Sequence, residues 1–373
     1  MSAIIIYNEL IYGGYMRLNV NDKEKVKKYW DFFYNHPSSS FYQDKIWALI
    51  KNGWNSDYFY IEKNNEVIAV AQVLSIYNSE AKKNLFYCPR GPVSDLYDIE
   101  TNIELINEIK NFAKKNNGFL VKFDPNYEYD EELINEYKKH GIEFCHKMYS
   151  YVQFPFSMML DINGRKFEDV IQSFSKNGRK QVRKSYKQDL ELYVGNRDDI
   201  KIFHEITADM CKRKGITYRP IDYYYRLYDN FKDKARMTFV KYKNEFLSCS
   251  FLITFKDYAM ALYGADNLSI DLGQSYFLDA EEIRYCCENN IRYYDLGGVK
   301  SLDINDGLYR FKRKFTNNNI IKWIGNIECI IDEDSYQKFI ENKDDRDYTP
   351  ELKGNLYFNY KREKTIYKFL LII

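Results

Sequence analysis

The chain has 373 residues, 45% apolar, 29% charged and 17% aromatic, with tyrosine the commonest aromatic. This is the composition of a globular protein, and the length allows two ordinary domains, each with its own core. A net charge of +1 gives no global field to attract a polyanion, so any nucleic-acid contact needs a local basic patch.

The seven cysteines (88, 145, 211, 249, 286, 287 and 329) are odd in number and show neither CxxC nor metal-ligand spacing. They read as reduced, mostly buried thiols of a cytoplasmic protein, with no metal and no cofactor implied. The apolar stretch Ala3–Ile6 lacks the basic flank and cleavage site of a signal peptide. No run reaches the roughly 18 to 20 apolar residues of a membrane span.

In chain order, Gln43–Trp54 reads as a helix with Trp47 and Lys51 on one face, an aromatic beside a cation. Tyr58–Leu74 is strand, polar turn at Asn64-Asn65-Glu66, strand, the pattern of an antiparallel hairpin. Tyr87-Cys-Pro-Arg-Gly-Pro-Val93 is a strand end bent by two prolines. Helical periodicity from Ile103 to Asn117 runs into a strand at Phe119–Asp124. The basic run Lys176–Lys187 fits a helix carrying Arg179, Lys180, Arg183 and Lys184. In Gly215–Tyr223, Pro220 biases Arg219 toward an extended conformation from which its guanidinium can fork onto a phosphate. Between Tyr223 and Met237 there is room only for a short helix.

A second hairpin, Met237–Ile253, turns at Lys243-Asn244-Glu245, the place its first-half counterpart turns. A helix from Leu278 to Asn290 then leads into the strand Ile291–Gly298. Gly297-Gly298 permits a close backbone approach, and a basic cluster follows at Arg310, Lys312, Arg313 and Lys314. The order helix, hairpin, strand, helix, strand thus occurs twice, about 180 residues apart, which points to an internal duplication. Domain boundaries are expected at 1–152 plus 322–373 for the first domain, with its C-terminal extension, and 153–321 for the second.

This order of elements resembles the acetyltransferase-like (GNAT) fold, so the expected class is α/β (α+β): two tandem GNAT domains without a coiled-coil arm. GNAT domains usually hold acyl-CoA pyrophosphate on an R/Q-x-x-G-x-G/A loop at a helix N-terminus. The corresponding loop here, Asp266–Gln274, lacks that glycine spacing. A CoA-dependent N-acetyltransferase and a non-enzymatic RNA-binding protein are the rival classes, disfavoured by that loop and by the near-zero charge.

Taken together, the Gln43…Trp47…Lys51 segment, Gly91-Pro-Val93, Thr217-Tyr-Arg-Pro220, Tyr294-Asp-Leu-Gly-Gly298 and Leu308-Tyr-Arg-Phe-Lys312 resemble the signature elements of the Fem aminoacyltransferases. That family builds peptidoglycan interpeptide bridges from aminoacyl-tRNA. The resemblance implies transfer of Ala, Gly or Ser to the stem-peptide amine of UDP-MurNAc-pentapeptide, with lipid II as the alternative acceptor. It implies acceptor binding by Lys51, Trp54, Thr217, Arg219, Tyr223 and Tyr263, with Lys51 and Arg219 on the diphosphate. Lys312 and Phe311 fall at the acyl-transfer centre, and Asp124 matches a carboxylate considered as a base. Arg179, Lys180, Arg183, Lys184 and Arg313 are candidates for the tRNA. Phe119 stands where a tyrosine contacting the acceptor is expected. The tail Lys361–Ile373, basic then apolar, is a candidate for closing on the first domain or for peripheral membrane contact.

Overall fold

The computed structural model describes residues 17–267, 270–317, 319–341 and 343, so the Ala3–Ile6 stretch, most of the expected C-terminal extension and the Lys361–Ile373 tail lie outside the described residues. The chain forms two compact units: the first takes the described residues up to Cys145 and from Ile324 onward, the second His146–Trp323.

The first unit begins with α1 (Lys23–Asn35) and α2 (Lys45–Ile50), followed by β1 (Asn55–Lys63), β2 (Glu66–Asn78), β3 (Lys83–Cys88) and the short β4 (Val93–Ser94). Next come α3 (Ile99–Lys115), β5 (Gly118–Phe123), α4 (Glu131–Lys139) and β6 (Phe144–Cys145). Aspartates 22, 44, 98 and 130 each accept a backbone N–H at the start of one of these four helices, supplying the missing partner of a first-turn donor.

The second unit opens with β7 (Phe156–Asp161), α5 (Phe167–Gln172), α6 (Lys176–Ser185), β8 (Glu191–Val194), α7 (Ile200–Lys214) and α8 (Ile221–Phe231). It continues through β9 (Ala235–Tyr242), β10 (Glu245–Phe255), β11 (Tyr258–Asp266), α9 (Gln274–Glu288), β12 (Tyr293–Val299), α10 (Gly307–Thr316) and β13 (Ile320–Lys322). The chain then returns to the first unit as β14 (Asn326–Ile330) and α11 (Glu333–Ile340).

Both hairpins form where the alternation predicts them. The first turns through Asn64 and Asn65 and the second through Lys243 and Asn244, all at positive φ, the geometry that matches strand twist in a two-residue turn. Among the described residues the first sheet runs β1-β2-β3-β5-β14-β6 with β4 on β2, and the second runs β13-β7-β12-β11-β10-β9-β8. Each sheet has one parallel pair, β3 with β5 and β11 with β12, bridged by a crossover helix, α3 or α9. The α3 face Leu105, Ile106, Ile109 and Ala113 packs on Phe59, Phe86 and Val121, while Ala280, Ile283 and Cys286 of α9 pack with Phe156, Leu252 and Tyr294. Each leucine or isoleucine among them contributes about 1.5–3 kcal/mol through burial.

The expected Gln43–Trp54 helix is shorter than its periodicity suggests. Residues Phe41–Gln43 form a 3-10 turn, and only Lys45–Ile50 is α-helical. The reason is non-local: the buried Gln43 amide accepts from Gln72 N–H at 2.7 Å and donates to the Gln72 and Pro89 carbonyls at 3.0 and 2.8 Å, joining β2 to the turn after β3. Between Tyr223 and Met237 the helix α8 ends at Phe231, and there is no arm.

Where β5 meets β14, Lys122 and Glu328 face each other across the strands and pair at 3.0 Å with side chains 3% and 6% exposed. Tyr336 donates to the other Glu328 oxygen at 2.6 Å. Lys122→Ala leaves that carboxylate buried without its cation, and equilibrium denaturation should show a loss of about 3–5 kcal/mol.

Candidate active site

In the first unit, Lys51 is 6% exposed and its ammonium lies 5.0 Å from the Trp47 ring centroid, so the face-sharing read from spacing is realised at the end of α2. Trp54 is partly exposed just before β1, with its N–H on the Lys51 carbonyl. Phe119 is fully buried with its ring 5.3 Å from Phe339, so this side chain belongs to the core.

Asp124, directly after β5, is 3% exposed, and both its oxygens are engaged. Oδ1 accepts from the Arg90 N–H at 2.5 Å and Oδ2 from the Tyr87 hydroxyl at 2.8 Å. Desolvation raises its pKa above the ordinary carboxylate range, against the opposing pull of Arg90 and those two donors. The bonds tie the strand end to Arg90, which sits at φ +50° in the Pro-Arg-Gly-Pro turn. The contacts seen here are those of a clamp on that turn.

In the second unit, the loop before α8 brings Arg219 over the Tyr223 ring at 5.1 Å, and Tyr263 on β11 donates to the Tyr223 hydroxyl at 3.1 Å. Thr217 in the same loop has a hydroxyl shielded from solvent and without a hydrogen-bond partner among the described residues. The guanidinium and two phenols in one cluster suit a polar, anionic ligand, and the unsatisfied Thr217 hydroxyl lies two residues before Arg219 in the chain.

Lys312 projects from α10 to the end of β12, where its Nζ donates to the Gly298 carbonyl at 3.0 Å. Gly297 stands at φ +83°, and a Cβ there would lie 3.3 Å from that Nζ. A Cβ on Gly298 would lie 2.6 Å from Phe154 Cδ2, so the turn takes glycine at both positions. Desolvation pushes the Lys312 pKa down to about 8, while Asp295, Asp279 and Asp306 oppose the shift. Asp279, which accepts from Tyr294 at 2.8 Å, is pushed up by burial to about 6. Phe311 packs 5.0 Å from Tyr276 and 5.4 Å from Phe315, forming the aromatic side of α10.

The basic run forms α6 as expected. Lys180, Arg183 and Lys184 are exposed on it, whereas Arg179 sends a guanidinium nitrogen to the Gln172 carbonyl at 3.0 Å and to the Phe174 carbonyl, closing the end of α5. Gly178 abuts the Lys314 carbonyl, where any side chain would collide, and the Ser175 N–H donates to the same oxygen at 3.0 Å. This contact sets α6 beside α10, whose Arg313 lies over the Tyr309 ring at 5.6 Å. In the loop just before α9, the Leu272 N–H is taken by the Gln274 side chain and the Gly273 N–H by Asp271.

The FemAB family model matches residues 25–243 and 240–340. The chain belongs to the FemAB family. It is 25% identical over 336 residues to the UDP-N-acetylmuramoylpentapeptide-lysine N(6)-alanyltransferase of Weissella viridescens, covering 87% of this chain and 99% of that protein. To the lipid II:glycine glycyltransferase of Staphylococcus haemolyticus it is 27% identical over 222 residues, 57% of this chain and 52% of the other. The crystal structure of FemX superposes with a TM-score of 0.74 at 21% identity, covering 83% of this chain and 97% of FemX. A tandem GNAT protein from the clavulanic acid biosynthesis pathway superposes at 0.53 and 9% identity, covering 84% and 97%. The two-GNAT architecture expected for this FemAB member is borne out at the level of fold.

Sequence reasoning missed Tyr258, which donates to Asp295 at 2.6 Å, and it missed the side-chain role of Gln43. Spacing gave no signal for either, because each acts on a partner far away in the chain. The seat of Lys312 can be tested by packing alone. Gly298→Ala should cost about 1–3 kcal/mol by thermal denaturation through overlap with the Cβ and ring of Phe154, and adding Phe154→Gly, which removes that Cβ as well as the ring, should give a double variant less destabilised than the two single losses added together.

Proposed function

We propose that this FemAB member transfers an amino acid from aminoacyl-tRNA to the stem-peptide amine of UDP-MurNAc-pentapeptide in the cytoplasm. The observation that carries the reading is the match along 99% of the alanyltransferase. It is supported by the size of α8, 11 residues with no arm beyond it. The donor and the nucleotide-linked acceptor are the finer part of the proposal. Lipid II is the alternative acceptor, kept by the match to the glycyltransferase.

The donor ester is already activated, so the protein has to position two substrates and stabilise charge. The neutral amine attacks the ester carbonyl, and a C–N bond forms. The C–O bond to the ribose then breaks, and the amine's proton ends on the ribose oxygen. The Lys312 ammonium lies at the oxyanion, where one such donor is worth about 3–4 kcal/mol. In the second unit Arg219, beside an aromatic ring, grips phosphate of the acceptor with Thr217, Tyr223 and Tyr263 in its own unit; in the first unit Lys51, likewise beside a ring, and Trp54 are assigned to the same acceptor. Lys180, Arg183, Lys184 and Arg313 meet the phosphates of the tRNA, a contact that needs little beyond spaced cations. Asp124 holds the Arg90 turn and takes no proton from the substrate. The substrate's own carboxylate or water takes the earlier proton, the one whose loss turns the stem-peptide ammonium into the neutral amine that attacks. The Asp266–Gln274 loop ahead of α9 lacks the glycine spacing that holds a CoA pyrophosphate, which argues against that donor.

The deciding assay supplies labelled aminoacyl-tRNAs with UDP-MurNAc-pentapeptide or lipid II and looks for label in each product. Absence of transfer to either would sink the reading. Lys312→Ala should lower kcat about 10²- to 10³-fold with little change in acceptor KM. Because Lys312 acts as a cation, kcat should fall as pH rises through about 8. Arg219→Ala should raise acceptor KM about 10- to 150-fold and leave kcat near its original value. Asp124→Asn, which keeps the shape of the clamp, should retain kcat within a few-fold, whereas loss of activity with unchanged stability would restore Asp124 as a base.

A further inference from the structure

Lys312 depends on the direction of the Gly298 carbonyl, and that direction is set by a break in β12. Pairing between β12 and β7 shifts register between Asp295 and Gly298, with Gly297 left-handed inside the break. One side chain spans this irregularity. Asp295 is 1% exposed, its Oδ1 accepts the Gly297 N–H at 2.8 Å, and its Oδ2 accepts the Tyr258 hydroxyl from β11 at 2.6 Å. The carboxylate therefore ties the glycine turn both to its own strand and to the neighbouring one.

We propose that Asp295, held by Tyr258, is the positioning residue for Lys312: it fixes the Gly298 carbonyl that seats the ammonium and places a negative charge beside it. This rests on the reading of Lys312 as the cation at the acyl-transfer centre. The first unit supplies independent support. There an aspartate again accepts from one tyrosine hydroxyl and one backbone N–H, Asp124 from Tyr87 and Arg90, although Arg90 follows the tyrosine's strand whereas Gly297 lies on the aspartate's own. In both sheets the tyrosine lies on the parallel neighbour, and its pairing partner stands two residues before the aspartate: Tyr87 pairs with Lys122 ahead of Asp124, and Tyr258 with Tyr293 ahead of Asp295. In both, the clamped N–H belongs to a residue at positive φ, Arg90 or Gly297. Recurrence at equal register in two sheets is what a retained device for holding a strand-end turn would leave.

The charges acting on Lys312 come from three elements: Asp295 from β12, Asp279 from α9, and Asp306 at the start of α10. Of these, Asp295 is the strongest support for the charged form, and the other two remain when it is neutralised. Removing the Asp295 charge and removing a clamp hydrogen bond therefore have different signatures. Asp295→Asn lowers the pH at which Lys312 gives up its proton. Tyr258→Phe keeps the carboxylate and only loosens the turn.

The test uses the full chain and two readouts. The first is the pH dependence of Lys312 acetylation by trace acetic anhydride, followed by mass spectrometry, which needs no substrate. The midpoint, near 8 in the original protein, should fall by about one pH unit in Asp295→Asn and stay in place in Tyr258→Phe. The second is kcat in the transfer assay, which should fall about 10²-fold in Asp295→Asn and about tenfold in Tyr258→Phe, with acceptor KM little changed in both. An unmoved labelling midpoint in folded Asp295→Asn overturns the proposal. So does full kcat in Tyr258→Phe, which also decides the matter if Asp295→Asn fails to fold. If instead Lys312→Ala retains kcat, the reading of Lys312 itself fails, whatever the labelling shows.

Discussion

The parallel strand pair in each unit is the constraint on which the candidate site depends. Parallel neighbours cannot be joined by a tight turn, so a crossover helix lies between them, and their C-terminal ends come out at the same edge of the sheet. In the first unit β3 and β5 stay paired to Cys88 and Phe123, and the residues just beyond, Arg90 and Asp124, meet at once. In the second, β11 and β12 pair only from Tyr258 and Tyr293 to Met260 and Asp295. Past that point β12 breaks toward β7 while β11 continues along β10. Gly297, Gly298 and Lys312 occupy the place where the strands part, and Tyr263 lies further along β11.

A cation at such a place is costly to desolvate, and the surroundings offset the cost with acids rather than with solvent. Three aspartates act on Lys312, yet burial works against the charge of one of them and of a neighbouring glutamate. Asp279 is pushed up to about 6, and Glu282, one turn further along α9 and bonded by the Thr238 hydroxyl, is pushed up by desolvation to about 7. For a carboxyl whose folded pKa lies above its unfolded one, the unfolded chain releases the proton first. Stability therefore falls as pH rises from about 4 through those folded values, and is level above them. The second unit thus carries a stability cost near neutral pH in the same buried network that keeps its lysine charged.

How much of this could be read beforehand depended on whether the determining contact was local. The hairpins were legible because alternation and a polar turn lie within one short segment, and Asn64-Asn65 and Lys243-Asn244 turn where expected. The length of α2 was not legible, because Gln43 bonds to Gln72 and Pro89, far beyond any helical window. Lys312 stood out only in combination with the other motifs, since a basic cluster after a glycine pair is by itself a common solvated surface. Its supports were hidden for a further reason: Tyr258 is one of 36 tyrosines, and nothing nearby sets it apart. Arg179 shows the converse. Composition marks it as one more cation in a basic run, and only the fold shows its guanidinium bent back onto the end of α5.

The two halves also differ where they should be most alike. Asn117 and Asn290 both end a crossover helix at positive φ, and aligning them places Lys122 of β5 opposite Asp295 of β12, each five residues on. The first unit uses that position for a buried ion pair with Glu328, which fastens the returning strand β14 to β5. The second uses it for a carboxylate turned onto a glycine break, and the clamp that corresponds to it in the first unit lies two residues later, at Asp124. Because side chains alternate along a strand, a shift of two residues keeps the carboxylate on the same face while freeing the earlier position for a different task. Both units thus carry a tyrosine-held aspartate that accepts from a residue at positive φ, one pleat apart when the crossover helices are aligned. In the first it closes a sheet turn, and in the second it holds the glycine break at whose Gly298 carbonyl Lys312 donates.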